Sequence, residues 1–364
     1  MNIAIMGAGL SGLACAIILE QNGIYPTIFE NRTQVGDRFI NGEILLSILH
    51  RPVFDCIAYF SEKFNIDLQP ISNITELAIH SEKEKCLING HLGFTNLRGR
   101  HEHSFENQLA RQVKSKIIFQ SKYTYEQLLR EFTHVVVATG DAAYAMNIQD
   151  YQQDFTVTLK GATVEGDFQP HKVMAWLNNK LAPKGYGYLI PYSKKEANIV
   201  IGYPDYPENR MLNINELWKK FHQQVCENLQ QDLKITDGFQ VTRYIIGKCQ
   251  YPRIGNTFFV GNCFGSIMPF LGFGQFIAIL TGIYAAHDLC GIGDYNKLTK
   301  TLHKTYRNSL VFRRSMEKLE NNHFDTLVRN LDGYLGNKLF NSKHYDPLKI
   351  ASYLLRPWIR INSK

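Results

Sequence analysis

The sequence has no Cys-x-x-Cys pair, and its seven cysteines (15, 56, 86, 226, 249, 263 and 290) are scattered and odd in number. That excludes a disulfide-stapled miniprotein and a paired-cysteine zinc site, and fits reduced thiols in a cytoplasmic setting. No run reaches the roughly 18 apolar residues that cross a bilayer. The best candidate, 273–286, is interrupted by Gln275 and Thr281. No basic segment precedes the first strand, so no signal peptide is expected. A P-loop, a Ser/His/Asp signature, an internal repeat and a low-complexity tract are all missing, and no motif points to nucleic acid. What is present is 364 residues, 45% hydrophobic, with 22 Phe and 19 Tyr. That is ample core material for about two lobes of roughly 100–200 residues each.

The net charge of +7 is unevenly placed: residues 300–364 carry 13 Lys and Arg against 5 Asp and Glu. The basic tail is either a solvated helical face or a surface for an anionic membrane, a phosphorylated substrate or an acidic redox protein. Peripheral membrane contact is left open.

Met1–Met6 reads as a buried strand, Leu10–Gln21 as a helix ended by Gly23, and Tyr25–Glu30 as a second strand, which makes a βαβ opening. A helical stretch is expected near Glu43–Phe60. Beyond it come a helix over Phe105–Lys114 and strands at Lys116–Gln120 and Thr133–Ala138. From about 151 to 250 the pattern turns to alternating strands (Phe155–Lys160, Gly187–Pro191, Ala197–Gly202, Phe239–Ile246), broken by a helix over Ile214–Gln230. Thr257–Val260 is strand-like, a glycine-rich loop spans Gly261–Gly274, and a helix follows over Gln275–Leu289. The expected class is α/β: a doubly wound Rossmann-like lobe, an inserted antiparallel sheet lobe for substrate, and a helical C-terminal segment. The lobe boundaries are 1–70, 96–150 and 250–292 for the nucleotide lobe, 71–95 and 151–249 for the sheet lobe, and 293–364 for the basic helices.

Gly7-Ala8-Gly9-Leu10-Ser11-Gly12 follows a strand and opens a helix, and Glu30 ends the next strand. Gly7 permits the tight turn, Gly9 lets backbone approach a pyrophosphate, and Gly12 lets helix and strand pack closely. The helix N-terminus offers unpaired N–H groups to phosphate, and Glu30 can accept from ribose hydroxyls. This motif alone does not separate FAD from NAD. The second loop does: a strand ending at Val260, then Gly261-Asn262, then Gly272-Phe273-Gly274 into a helix would suit a flavin. Asn262 could bond the ribityl chain, and the helix amides could face the ring edge that gains negative charge on reduction.

On four segments the chain resembles the geranylgeranyl reductase family of flavoproteins, which share the p-hydroxybenzoate hydroxylase fold. These are Gly7–Gly12 with Glu30; Val35-Gly36-Asp37-Arg38-Phe39-Ile40-Asn41-Gly42-Glu43; Leu181–Pro191, holding Tyr186 and Tyr188; and Gly261–Gly274. The resemblance implies FAD, held also by Asn31, Arg38, Thr139, Gly140 and Arg98, with Arg100 as the fallback for that last position. It implies a substrate face at Asn41, Tyr186, Tyr188 and Pro191. The implied activity is reduction of a carbon–carbon double bond in an apolar, isoprenoid-like substrate, with NAD(P)H or ferredoxin as transient donor. A flavin monooxygenase or halogenase on the same fold, or a FAD-binding protein without turnover, is the alternative. Asn41 stands where the family has cysteine and Asn262 where it has aspartate. Cys263 reads as a small core residue or a replacement thiol. His101 and His103, with no third ligand, read as a solvated loop, and His171 and His287 as isolated residues.

Overall fold

The computed structural model describes residues 1–343 and 345–362. The elements in chain order are β1 (Ile3–Met6), α1 (Leu10–Gln21), β2 (Thr27–Phe29), β3 (Asn41–Leu46), α2 (Cys56–Phe64), β4 (Ser72–His80), β5 (Lys85–Arg98), α3 (Phe105–Ala110), β6 (Ile117–Ile118), α4 (Tyr125–Glu131), β7 (His134–Val137) and α5 (Ala142–Met146). They continue with β8 (Tyr151–Glu165), β9 (Lys172–Trp176), β10 (Tyr186–Pro191), β11 (Glu196–Pro204), α6 (Ile214–Leu229), β12 (Lys234–Cys249), β13 (Arg253–Ile254), β14 (Thr257–Phe259), α7 (Gln275–Leu289), α8 (Tyr295–Met316), α9 (Asn321–Leu331), α10 (Tyr334–Phe340) and α11 (Pro347–Asn362).

Two sheets organise the chain. The first runs β13-β14-β7-β1-β2-β6, parallel except for the β13–β14 edge. Its inner strands are continuous apolar runs, as a sheet covered on both faces requires. The second has eight strands, β12-β8-β11-β10-β9-β4-β5-β3. It is antiparallel apart from the β4–β9 pair, which runs parallel.

Helices α1 and α7 are almost wholly buried and pack on one another. The approach is close enough that a Cβ on Gly282 would sit 2.0 Å from the Ser11 carbonyl oxygen. The contact ties the first βα turn to the helix that follows the second glycine-rich loop, 260 residues later in the chain. No helix among the described residues is long and apolar enough to cross a membrane.

Two expectations need correcting. The stretch 43–60 is not one helix: Asn41–Leu46 is a strand paired antiparallel with β5, and helix begins only at Cys56. A short apolar run such as Ile44-Leu45-Leu46 fits either period, and strand pairing decides it. The lobe boundaries shift accordingly. β3 lies inside the range given to the nucleotide lobe but belongs to the second sheet, and β5 carries that sheet through Asn96, Leu97 and Arg98. The C-terminal helices run to Asn362; His344, Ser363 and Lys364 lie outside the described residues.

Candidate active site between the two sheets

A cavity of about 550 Å³ lies between the sheets, within the roughly 300–1,000 Å³ range of ligand pockets. Three kinds of wall meet in it.

The first wall is the βα turn. Gly7 takes φ 116°, where a side chain would collide with the Ala138 carbonyl, and its N–H donates to the Phe29 carbonyl at 2.8 Å. Gly9 is the residue before α1; no side chain caps that helix, and an added Cβ at Gly9 meets nothing within 4 Å. Ala8, Leu10, Ser11 and Asn31 line the same wall. Glu30 is buried, accepting from the Ala8 N–H at 2.8 Å and the Arg32 N–H at 2.9 Å. Each carboxylate oxygen keeps further lone-pair capacity after these bonds.

The second wall comes from β3, the end of β5 and the loop into α7. Asn41 and Arg98 are register partners, so both reach the cavity from neighbouring strands. Arg98 Nε donates to Glu106 at 2.7 Å, and its Nη1 lies 3.5 Å from Glu43. Burial opposes the guanidinium charge, but the Glu106 and Glu43 carboxylates outweigh it and raise its pKa above the usual arginine value. Gln275, the first residue of α7, donates to Glu43. Like α1, α7 starts without a side-chain cap, so its first amides also open on the cavity. Three buried oxygens on lining residues have no partner among the described residues: Asn41 Oδ1, Glu106 Oε2 and Gln275 Oε1. Buried acceptors in native structures are normally satisfied, so these mark places where a donor-bearing ligand or water belongs.

The third wall belongs to the second sheet. Tyr186 and Tyr188 share one face of β10, with rings 6.0 Å apart. The Tyr186 hydroxyl donates to the Leu271 carbonyl. Burial, and then the charges of Tyr186 and Glu43, push the Tyr188 phenol well above its ordinary value, so it stays protonated. Phe155, Val157, Leu159, Tyr203 and Phe270 complete an apolar slot, closed by Arg313 of α8.

Of the residues singled out in the sequence, Gly7, Ala8, Gly9, Leu10, Ser11, Glu30, Asn31, Arg38, Asn41, Arg98, Thr139, Gly140, Tyr186, Tyr188, Gly261, Asn262, Gly272 and Gly274 all line this one cavity. Two do not. Gly12 faces inward, where an added Cβ would sit 2.1 Å from the Gly7 carbonyl oxygen, so its work is packing rather than contact with a ligand. Pro191 is buried on the opposite face of β10, because strand side chains alternate and it lies an odd number of residues from Tyr186. Arg100 is also outside, paired with Asp237.

Asn262 has less freedom than a ribityl contact would want. Its amide donates to the Gly140 carbonyl at 3.0 Å and the Tyr244 hydroxyl at 2.6 Å, and its oxygen accepts from Ser266 at 2.8 Å. An aspartate could not donate to Gly140. The amide therefore suits this junction of three segments and leaves one acceptor lone pair over. Cys263 is buried against Thr139 and does not line the cavity. Among the described residues no group of three His, Cys, Asp or Glu is placed to hold a metal.

Tyr244, Gln275, Phe39, Phe270 and Arg313 line the site without having been singled out. Gln275 was reachable from sequence, since it opens the helix after Gly274. Arg313 was not, because only the path of α8 brings it there.

A NAD(P)-binding Rossmann-like domain model matches residues 5–56. No curated protein matches the chain by sequence. Among solved structures, a geranylgeranyl bacteriochlorophyll reductase-like protein from Thermoplasma acidophilum superposes with a TM-score of 0.71 at 16% identity, covering 98% of this chain and 97% of that one. The flavin-dependent brominase Bmp2 gives 0.64 at 14%, covering 100% of both chains. A mutant of 2-methyl-3-hydroxypyridine-5-carboxylic acid oxygenase gives 0.59 at 15%, covering 96% and 97%. At such identities the likeness shows a shared fold.

Proposed function

From a chain that shares its fold with flavin-dependent proteins, we propose a FAD-dependent oxidoreductase that reduces a carbon–carbon double bond in an apolar, isoprenoid-like substrate. The observation that carries this reading is the convergence of two uncapped helix N-termini, α1 and α7, on one cavity whose remaining wall is aromatic and aliphatic. Two such N-termini suit a ligand with electron-rich groups at both ends.

The residues fit FAD. The Gly7–Ser11 turn and Glu30 would hold the adenosine and pyrophosphate, with open space at Gly9 for the close approach. Asn41, Gln275 and the α7 amides would hold the isoalloxazine edge. Bound there, the cofactor would supply hydride to the double bond. The protein keeps water away with Phe155, Val157, Leu159 and Phe270, and orients an apolar substrate against Tyr186 and Tyr188. Tyr188 holds a proton at its hydroxyl inside the slot, the candidate source for the second carbon.

The test is anaerobic. FAD-loaded protein, reduced with dithionite and mixed with geranylgeraniol, should reoxidise and yield a product heavier by one hydride and one proton. Failure to reoxidise, together with an oxygenated or halogenated product made only in air with NAD(P)H, would overturn the reductase reading in favour of a monooxygenase or halogenase.

A further inference from the structure

Strand β12 carries one residue too many for its pairing. Val241 stands opposite Leu159 of β8 and Tyr244 opposite Val157, so three steps along β12 answer two along β8, and the register slips between them. Arg243 takes φ 53° there, a left-handed conformation that a residue other than glycine adopts only under strain. Without the extra residue, alternation would put positions 241 and 244 on opposite faces of the sheet. With it, Val241, Tyr244 and Ile246 all line the cavity, beside their partners Leu159, Val157 and Phe155. Bulges re-aim side chains in this way, and the side chain re-aimed here is that of Tyr244.

Asn262 fixes what the Tyr244 hydroxyl can do. The Gly140 carbonyl can only accept, so the Asn262 amide must turn its nitrogen toward it. The same nitrogen then donates to the Tyr244 hydroxyl at 2.6 Å, and the amide oxygen accepts from Ser266. A hydroxyl that accepts from Asn262 keeps its own proton to donate. Burial raises the Tyr244 pKa against the opposing charges of Arg38 and Arg98, so the phenol holds that proton. The pair lies where the two glycine-rich turns meet: a Cβ on Gly261 would come 2.5 Å from Ser11 Oγ.

We infer that Tyr244 donates its hydroxyl proton to an oxygen of the linker between the FAD pyrophosphate and its ring, taking the contact that the sequence assigns to Asn262. The inference rests on the FAD reading and deepens it. The linker is the part of the cofactor that has to cross the junction of the two turns, since the first turn would hold the adenosine half and α7 the ring. Arg38 and Arg98, whose charges reach Tyr244, suit the phosphate end of that linker. An aspartate at position 262 would take the tyrosine proton for itself, whereas the asparagine leaves it to the ligand.

The test is calorimetric titration of the intact chain and of Tyr244→Phe with FAD and, separately, with ADP, which carries the adenosine and pyrophosphate without the ribityl chain or the ring. Phenylalanine keeps the aromatic ring and removes only the hydroxyl. FAD should bind Tyr244→Phe about tenfold more weakly than the intact chain, the size of one hydrogen bond. ADP should bind the two proteins within about twofold of one another. Equal FAD affinity in both proteins would overturn the assignment. So would an equal loss for FAD and ADP, because it would make Tyr244 a support of the fold rather than a contact on the linker. The intact chain separates the two readings. If it binds FAD and Tyr244→Phe binds it equally well, only the Tyr244 assignment falls, whereas an intact chain that takes up no FAD loses the reading on which the assignment rests.

Discussion

Gly9→Val should leave the fold intact and weaken FAD binding by more than about 100-fold, a loss of roughly 2.7 kcal/mol. Position 9 has φ −89° and ψ −174°, extended backbone that valine adopts without strain. An added Cβ there touches nothing within 4 Å, so the protein itself leaves room for the larger side chain. That room is what the site keeps for a ligand's phosphates beside the uncapped α1 amides. Gly12→Val, three residues on, should do the reverse. Its Cβ would meet the Gly7 carbonyl oxygen at 2.1 Å and press on Ile5 and Ala138 at 3.1 and 3.2 Å. Forcing α1 away from β1 should cost about 3 kcal/mol or more, with FAD binding lost only as a consequence. Thermal melting and FAD titration of the two variants check this. A Gly9→Val chain that binds FAD as tightly as the intact chain, or that melts as early as Gly12→Val, would mean that the space at Gly9 is not a ligand's.

The second large effect concerns the charged group behind the β3–β5 edge. Arg98 stands between Glu106, which is buried, and Glu43. Arg98→Met leaves two carboxylates close together without their cation. Breaking a buried pair from one side costs roughly 3–5 kcal/mol, and the lower end applies here because Arg98 keeps 23% of its side chain open to the cavity. The sign with pH follows from which form the fold prefers. Folding raises the Arg98 pKa, so its contribution is present throughout the range below the ordinary arginine value. In the variant, acid protonates the stranded carboxylates and relieves their burial and repulsion. The stability deficit should therefore be largest at neutral pH and shrink on acidification. Urea unfolding at neutral pH and near pH 4.5 measures it; a deficit that grows in acid would show that the three groups are not coupled in this way.

These two variants also mark what could be read from sequence and what could not. The Gly7–Gly12 turn was legible because its physics is local: three glycines, one strand, one helix and Glu30 fall within 30 residues. Helix α7 was legible to its end residues, since an apolar run with no charge before Asp288 follows directly on Gly274. The misread stretch was 43–60, where Ile44-Leu45-Leu46 carries no period of its own and becomes a strand only by pairing with Thr95, Phe94 and Gly93, some fifty residues away. Pro191 was a parity error that strand alternation alone could have caught. Arg98 was visible as a residue, but its tie to Glu106 and Glu43 needed β5 to end beside α3 and β3. Arg313 and Tyr244 carried no signal, because helix and strand packing, not spacing, sets them at the cavity.

The central claim is that two remote glycine-rich turns close on one FAD. Purified protein incubated with excess FAD, freed of unbound ligand, denatured and assayed by mass spectrometry should release one FAD per chain. The Gly9→Val protein, equally folded, should release almost none. A folded intact chain that releases no FAD, or a Gly9→Val chain that releases as much, would contradict it.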